Sequence, residues 1–126
     1  LLTKRINLYM KHVGLIIMLT IADIKQVYKK GVTLKFKRKP IPPDSNRFKG
    51  EFDPSTLEIK IYLSYQESKK DKELTILHEF VHARDDIKGH RYYRERRHSS
   101  VERETINTYH HRYYVLQFIK QLYRIR

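Results

Sequence analysis

A chain of 126 residues has room for one compact domain and is too short for a two-domain enzyme. Lys and Arg number 27 against 14 Asp and Glu, a net charge of +13, while a 40% hydrophobic share supplies a core and argues against wholesale disorder. The lack of Cys excludes disulfides, thiolate zinc ribbons, iron–sulfur clusters and a cysteine nucleophile, so any metal must be held by His and carboxylates. The four Gly do not cluster, which excludes a glycine-rich phosphate loop.

Residues 1–17 read as a terminal extension of a single domain spanning 1–126. The apolar run Val13–Ile21 is far shorter than the roughly 20 residues of a membrane-spanning helix. No membrane partner is expected, and a cytoplasmic location is the default. Thr20 caps a short helix, with Asp23 in its first turn, Ile21, Ile24, Val27 and Tyr28 as its apolar positions, and Gly31 at its stop. "VTLKFKRKP", "RFKGEF" and "TLEIKIYLS" then read as strands. The last alternates Leu57, Ile59, Ile61 and Leu63 with Glu58, Lys60 and Tyr62, and Asp53-Pro54-Ser55 marks the turn before it. The period becomes helical from Lys69 to Asp86. A polar stretch, Ile87 to Ser100, leads into a second long helix running nearly to Arg126. The expected class is α+β, with a small, mostly antiparallel twisted sheet packed on the first long helix and on a long C-terminal helix.

The first long helix carries His78-Glu79-Phe80-Val81-His82. Residues four apart lie one turn apart on one helix face, so both imidazoles can reach one metal ion. Glu79 sits about 100° around from His78, placed to handle a proton without being a ligand. Leu74, Leu77, His78, Val81, His82 and Asp85 form one stripe expected to be buried. Two unpartnered imidazoles in it would be costly to desolvate, and a metal removes that cost. The bland alternative is a pair of core histidines satisfied by carboxylates such as Asp85.

His-Glu-x-x-His is the arrangement of zinc-dependent hydrolases, which makes Zn2+ the expected cofactor. A catalytic zinc wants three protein ligands and one position for water. The metzincin pattern fails, because Asp85 and Lys88 stand where it needs Gly and His. Glu102 and Glu104 on the next helix are the candidates for the third ligand. A Glu on the following helix resembles the gluzincins, and a separation of about twenty residues looks like thermolysin-type enzymes. Glu102-x-Glu104-Thr105 resembles the Glu-x-Glu-Ala-Asp/Asn stretch of CAAX-type proteases and their phage-repressor-cleaving relatives, whose first Glu is the usual ligand. In length and order of elements the whole chain looks most like the archaeal minigluzincins of the abylysin, jannalysin and selecase types. That resemblance implies a metallopeptidase with His78, His82 and Glu102 as zinc ligands, Glu104 as the alternative third ligand, and Glu79 as general base and then acid. It also implies a peptide or unfolded-protein substrate, and latency or self-association that fills the cleft with the N-terminal stretch or the C-terminal tail.

Ile106 departs from the pattern where Asp or Asn is expected, leaving Asn107 or Thr108 to orient a ligand. Ser99-x-x-Glu102 also reads as a capping box, which gives Glu102 a structural job. His90, His98, His110, His111 and several tyrosines are candidates to stabilise the oxyanion. Strand Leu57–Leu63 resembles the edge strand that holds an extended peptide in such proteases.

Two other readings stand beside this one. The SprT group shares "HE-x-x-HA" and takes its third ligand from a Gly-His pair, here Gly89-His90, at a short spacing. A basic, non-enzymatic binding module is the other. The basic stretch 91–98 can touch nucleic acid, although a solvated segment is the favoured reading.

Overall fold

The computed structural model describes residues 17–39, 48–89 and 96–125. Helix α1 covers Ile21–Lys29 and opens on a reciprocal cap. The Thr20 hydroxyl accepts from the Asp23 N–H, and the Asp23 carboxylate accepts from the Thr20 N–H, each at 3.0 Å. Gly31 just beyond the helix takes φ 94°, a left-handed turn that glycine adopts without strain. The helix buries Ile24 and Val27, its i, i+3 pair, against the core.

Strands β1 (Thr33–Lys37), β2 (Gly50–Asp53) and β3 (Glu58–Tyr62) form one sheet in the order β1-β3-β2. β2 and β3 make an antiparallel hairpin, with Asp53 and Glu58 as its last partners. The Asp53 carboxylate accepts from both the N–H and the hydroxyl of Ser55, so the turn closes where the sequence reading puts it. β1 corrects the expectation of a mostly antiparallel sheet. It runs parallel to β3, Thr33 opposite Glu58 through Lys37 opposite Tyr62. β3 is therefore the central strand, and the edge beside the site belongs to β2.

Ile59 and Ile61 of β3 are fully buried, whereas Leu63, predicted on the same apolar face, is exposed in a 3-10 turn, Leu63–Tyr65. Tyr62 is buried and donates its hydroxyl to Glu51 across the strands.

Helix α2, Lys69–Lys88, packs against α1, β2, β3 and the helix that follows it. Ser68 caps its start, and Gly89, at φ 65°, ends it with an N–H bond back to Asp85. Because neighbours surround it, α2 is buried nearly all round. Ile76, Leu77, Phe80, Val81 and Ala83 are sealed, and so are Glu73, Glu79, Arg84 and Asp85.

The predicted long C-terminal helix is two helices, α3 (His98–His111) and α4 (Tyr113–Leu122), broken at Arg112. α3 begins before Ser99, with Arg97 as its cap residue and no side-chain cap bond. The capping box read from Ser99 and Glu102 is thereby overturned, since Ser99 already lies inside the helix. α4 buries Val115, Leu116 and Ile119. Its Tyr113 and Lys120 both reach the buried Glu73 carboxylate of α2. Beyond α4, Tyr123 donates to the Val32 carbonyl and Ile125 packs on the core, so the described C-terminal tail does not fill a cleft. Residues 1–16, the proposed N-terminal plug, lie outside the described residues. No described helix is long and apolar enough to cross a membrane.

Candidate metal centre

His78 and His82 stand one turn apart on α2, and their Nε2 atoms are 3.0 Å from each other. Their rings meet edge to face, with centroids 4.7 Å apart. Both imidazoles are half-buried and border the clefts, while the sealed positions of α2 belong to its neighbours. The stripe expected to be buried is thus partly open at the two histidines. Burial, with His98 near both rings and His78 and Arg96 near His82, pushes both down to about 4, so each is neutral at pH 7 with a lone pair to donate.

Glu79 is buried beside them. Burial, with Glu51 and Glu102 near, raises its carboxyl to about 8. Gly50 of β2 presses directly on this turn. A Cβ there would lie 2.9 Å from Thr75 Cγ2 and 3.3 Å from Glu79 Cγ.

Glu102 and Glu104 separate cleanly. Glu102 lies over the histidines, its Oε1 3.2 Å from His78 Nδ1, with its side chain 49% exposed. Glu104 turns inward and is 1% exposed. One of its oxygens accepts from Arg84 and from Arg96, each at 2.7 Å. Of the two candidate third ligands, Glu102 is thus the one in contact with His78, while Glu104 is committed through one oxygen to two guanidiniums. Its other oxygen, Oε2, is buried without a hydrogen-bond partner, as is Arg96 Nε.

Asp85 belongs to the same charged cluster, 3.0 Å from Arg84 Nε and 3.5 Å from Arg96 Nη1. Burial raises its carboxyl to about 6 against the pull of both arginines. Its partners among the described residues are arginines, so the carboxylate that meets the histidines is Glu102, not Asp85, and the 3.0 Å between the two Nε2 atoms is also the length of a hydrogen bond between the rings. Thr108, a predicted orienting residue, turns its hydroxyl to the Leu19 N–H and the Glu104 carbonyl. Arg96 falls in the basic stretch read as solvated, yet its side chain is buried in the cluster. Nothing in the spacing of residues announced this cluster, because its members are charges far apart in sequence.

Of the predicted oxyanion candidates, His98 alone among the described histidines joins the site. It lies 3.7 Å from Glu102 Oε1, and its ring centroid is 5.3 Å from that of His78. His110 and His111 are exposed at the far end of α3. His90, and with it the Gly89-His90 ligand of the SprT reading, lies outside the described residues. Among the described residues, His78, His98 and Glu102 form a group whose ligand atoms all lie within 4.8 Å of one another. The His98-x-x-x-Glu102 spacing is the signal that could have found it.

Two clefts meet at the histidines. One, about 590 Å3, is lined by Glu51, Asp85, Asp86, Arg96 and His98 together with His78, Glu79 and His82. The other, about 310 Å3, is walled by Phe48, Leu74 and Ile106 and shares His78 and Glu79. The exposed Phe48 and Ile106 give this second arm an apolar lining. A third cavity, about 620 Å3, lies beside Lys29, Lys30 and Lys88 and contains no ligand set.

Two nitrogens bound tetrahedrally at about 2.0–2.1 Å lie about 3.3–3.4 Å apart. The 3.0 Å between the Nε2 atoms of His78 and His82 is close to that edge and both rings are neutral, whereas Glu102 stands 3.2 Å from the other nitrogen of His78, Nδ1, on the opposite side of the ring. The donor types, neutral imidazole and carboxylate, are those a divalent cation of the zinc type takes, and His78, His98 and Glu102 are the ones whose ligand atoms lie mutually close. Comparison of the chain with known protein families, with characterised proteins and with solved structures finds none that matches.

Proposed function

We propose that this protein is a zinc-dependent metallopeptidase built like a minimal gluzincin catalytic domain, with His78, His82 and Glu102 as its metal ligands. The observation that carries the reading is the pair of neutral imidazoles whose Nε2 atoms lie 3.0 Å apart, with the Glu79 carboxyl buried beside them where two clefts meet. Glu102 is the third ligand of this reading because it lies over His78 while Glu104 is locked to two arginines.

Zinc, when bound, acidifies a water towards a pKa of roughly 7 and polarises the scissile carbonyl. The remaining work falls to the protein. Beside a bound dication the Glu79 carboxyl ionises, reversing the upward push of burial, and it takes the proton of the attacking water. It then hands that proton to the leaving amine. An extended peptide pairs with the open edge of β2, whose Gly50 lets the strand run against α2. The apolar arm at Phe48, Leu74 and Ile106 suits a hydrophobic side chain on one side of the scissile bond.

Metal analysis combined with hydrolysis of a peptide library, for the parent chain and Glu79→Gln, tests the reading. It expects about one zinc per chain in both and cleavage by the parent only. A zinc-free parent, or undiminished cleavage by Glu79→Gln, overturns it.

A further inference from the structure

Arg96 stands two residues before α3 and folds its side chain back over the first turn of the helix. Nη2 donates to the Ser100 carbonyl at 2.9 Å and Nη1 to Glu104 Oε1 at 2.7 Å, with Asp85 of α2 3.5 Å from Nη1. The two contacts on α3 fall two residues before and two residues after Glu102. The Arg96 side chain is 3% exposed, and it lies at a helix N-terminus, where the dipole disfavours positive charge. α3 has neither a side-chain cap bond nor an acidic residue in its first turn to offset this, and the compensating carboxylate is the buried Glu104. Among the described residues Arg96 Nε and Glu104 Oε2 stay without partners, a cost that stabilising the helix start does not explain.

Glu102 and Glu104 flank the buried face of α3 that holds Val101 and Thr105. Gripping one flank fixes the roll of the helix, and with it where the other flank points. Arg84 grips Glu104 from α2 at 2.7 Å, and Arg96 grips it from the leading end of α3 at the same distance. Glu102, 49% exposed on the other flank, is carried to His78 Nδ1 by the position of the helix. We infer that Arg96 is a positioning residue of the metal centre, locking the first turn of α3 in the roll that brings Glu102 to His78. The inference rests on the reading of Glu102 as a metal ligand and adds the residue that presents it. The brace acts on the helix, so it presents the carboxylate whichever nitrogen of His78 the ion takes.

The test uses the full chain, Arg96→Lys, Glu102→Gln and the double variant. Lys keeps a cation beside Glu104 but gives up the fork that also holds Ser100, so the turn loosens while the buried charge stays paired. Thermal melts in chelator check the fold. Zinc affinity is measured by competition with a chromophoric chelator. The ligand set is read from the visible spectrum of the cobalt-substituted protein, which a loss of stability alone does not alter. Arg96→Lys is expected to weaken zinc binding about tenfold, the low end of what supporting residues of metal centres contribute. It should also move the cobalt spectrum towards that of Glu102→Gln. In the Glu102→Gln background the same substitution should cost less than about twofold, because the group it acts through is gone. Equal losses in both backgrounds overturn the inference alone, as do unchanged affinity and spectrum in Arg96→Lys. Loss of the folded state in Arg96→Lys overturns it as well, since Arg96 would then support the whole domain. Parental zinc affinity in Glu102→Gln, or a parent that takes up no zinc, overturns the ligand reading and this inference with it.

Discussion

Arg84 and Glu104 meet at 2.7 Å in the interior, joining the helix that carries the histidines to the helix that carries Glu102. Arg84 also contacts Asp23 of α1 and Asp85 of its own helix, so one guanidinium ties three elements around the site. Removing one partner of a buried pair strands the other charge, at about 3–5 kcal/mol. Glu104→Gln should therefore destabilise the chain by about 3 kcal/mol in urea unfolding. Glu102→Gln, at a half-exposed position, should change metal-free stability by less than about 0.5 kcal/mol while weakening zinc binding. Equal stability losses in the two variants would contradict this division of labour.

That division was not legible in the sequence. Glu102 and Glu104 flank the face through Val101, Thr105 and Thr108, and periodicity gives both the same standing. What buries Glu104 is its pairing with Arg84, twenty residues away, and with Arg96 in a stretch that reads as solvated. The local signals fared better. The Thr20 cap, the Asp53 turn and the helix through His78 and His82 depend on near neighbours, and each formed where spacing placed it. Strand direction did not follow, because alternation in "VTLKFKRKP" reports a face and carries no information about whether a partner runs parallel.

Gly50 is expected to tolerate no side chain. In Gly50→Ala the new methyl would meet Thr75 Cγ2 at 2.9 Å and the Lys60 carbonyl at 3.0 Å, and only the threonine can yield. Overpacking of this kind costs about 1–3 kcal/mol. The displaced β2 should also lower peptide cleavage, because the strand lies against Glu79. Adding Thr75→Ser, which removes the Cγ2 methyl, should restore part of both. An unaltered Gly50→Ala would show that β2 does not press on α2.

Glu73 ties α4 to α2 through Tyr113 and Lys120. Burial pushes its carboxyl up, but the bonds from Lys120 and Tyr113 outweigh this and hold it below the usual range. The stabilisation is present above the unfolded value near 4.5 and is lost as pH falls through the lower folded value. Lys120→Met should accordingly cost about 1–3 kcal/mol at pH 7 and progressively less below pH 4.5. A penalty independent of pH would point to lost packing rather than lost charge.

The metal-free protein should lose stability as pH rises from 6.5 to 8, and Glu79 should be the cause. Its folded carboxyl titrates at about 8, against about 4.5 unfolded. Across that interval the unfolded chain has released this proton and the folded chain has kept it, so the equilibrium moves towards unfolding as pH climbs. His78 and His82 act with the opposite sign, mainly between about 4 and their unfolded value of 6.5, with a remainder that fades by about pH 7.5. Asp85, at about 6, is also finished below the window. At 1.36 kcal/mol per unit, Glu79 contributes somewhat under 2 kcal/mol of loss from pH 6.5 to 8, and the remaining protons of the two unfolded histidines offset part of it, leaving about 1 kcal/mol, or a few degrees in Tm for a domain of this size. Thermal melts in chelator should show the parent falling across the window while Glu79→Gln holds level or rises slightly, and adding zinc should flatten the parent by drawing Glu79 to its ionised form. Parallel curves for the two proteins in chelator would mean that Glu79 is ionised without a metal, and that the buried carboxyl beside the histidines is not held protonated as its surroundings require.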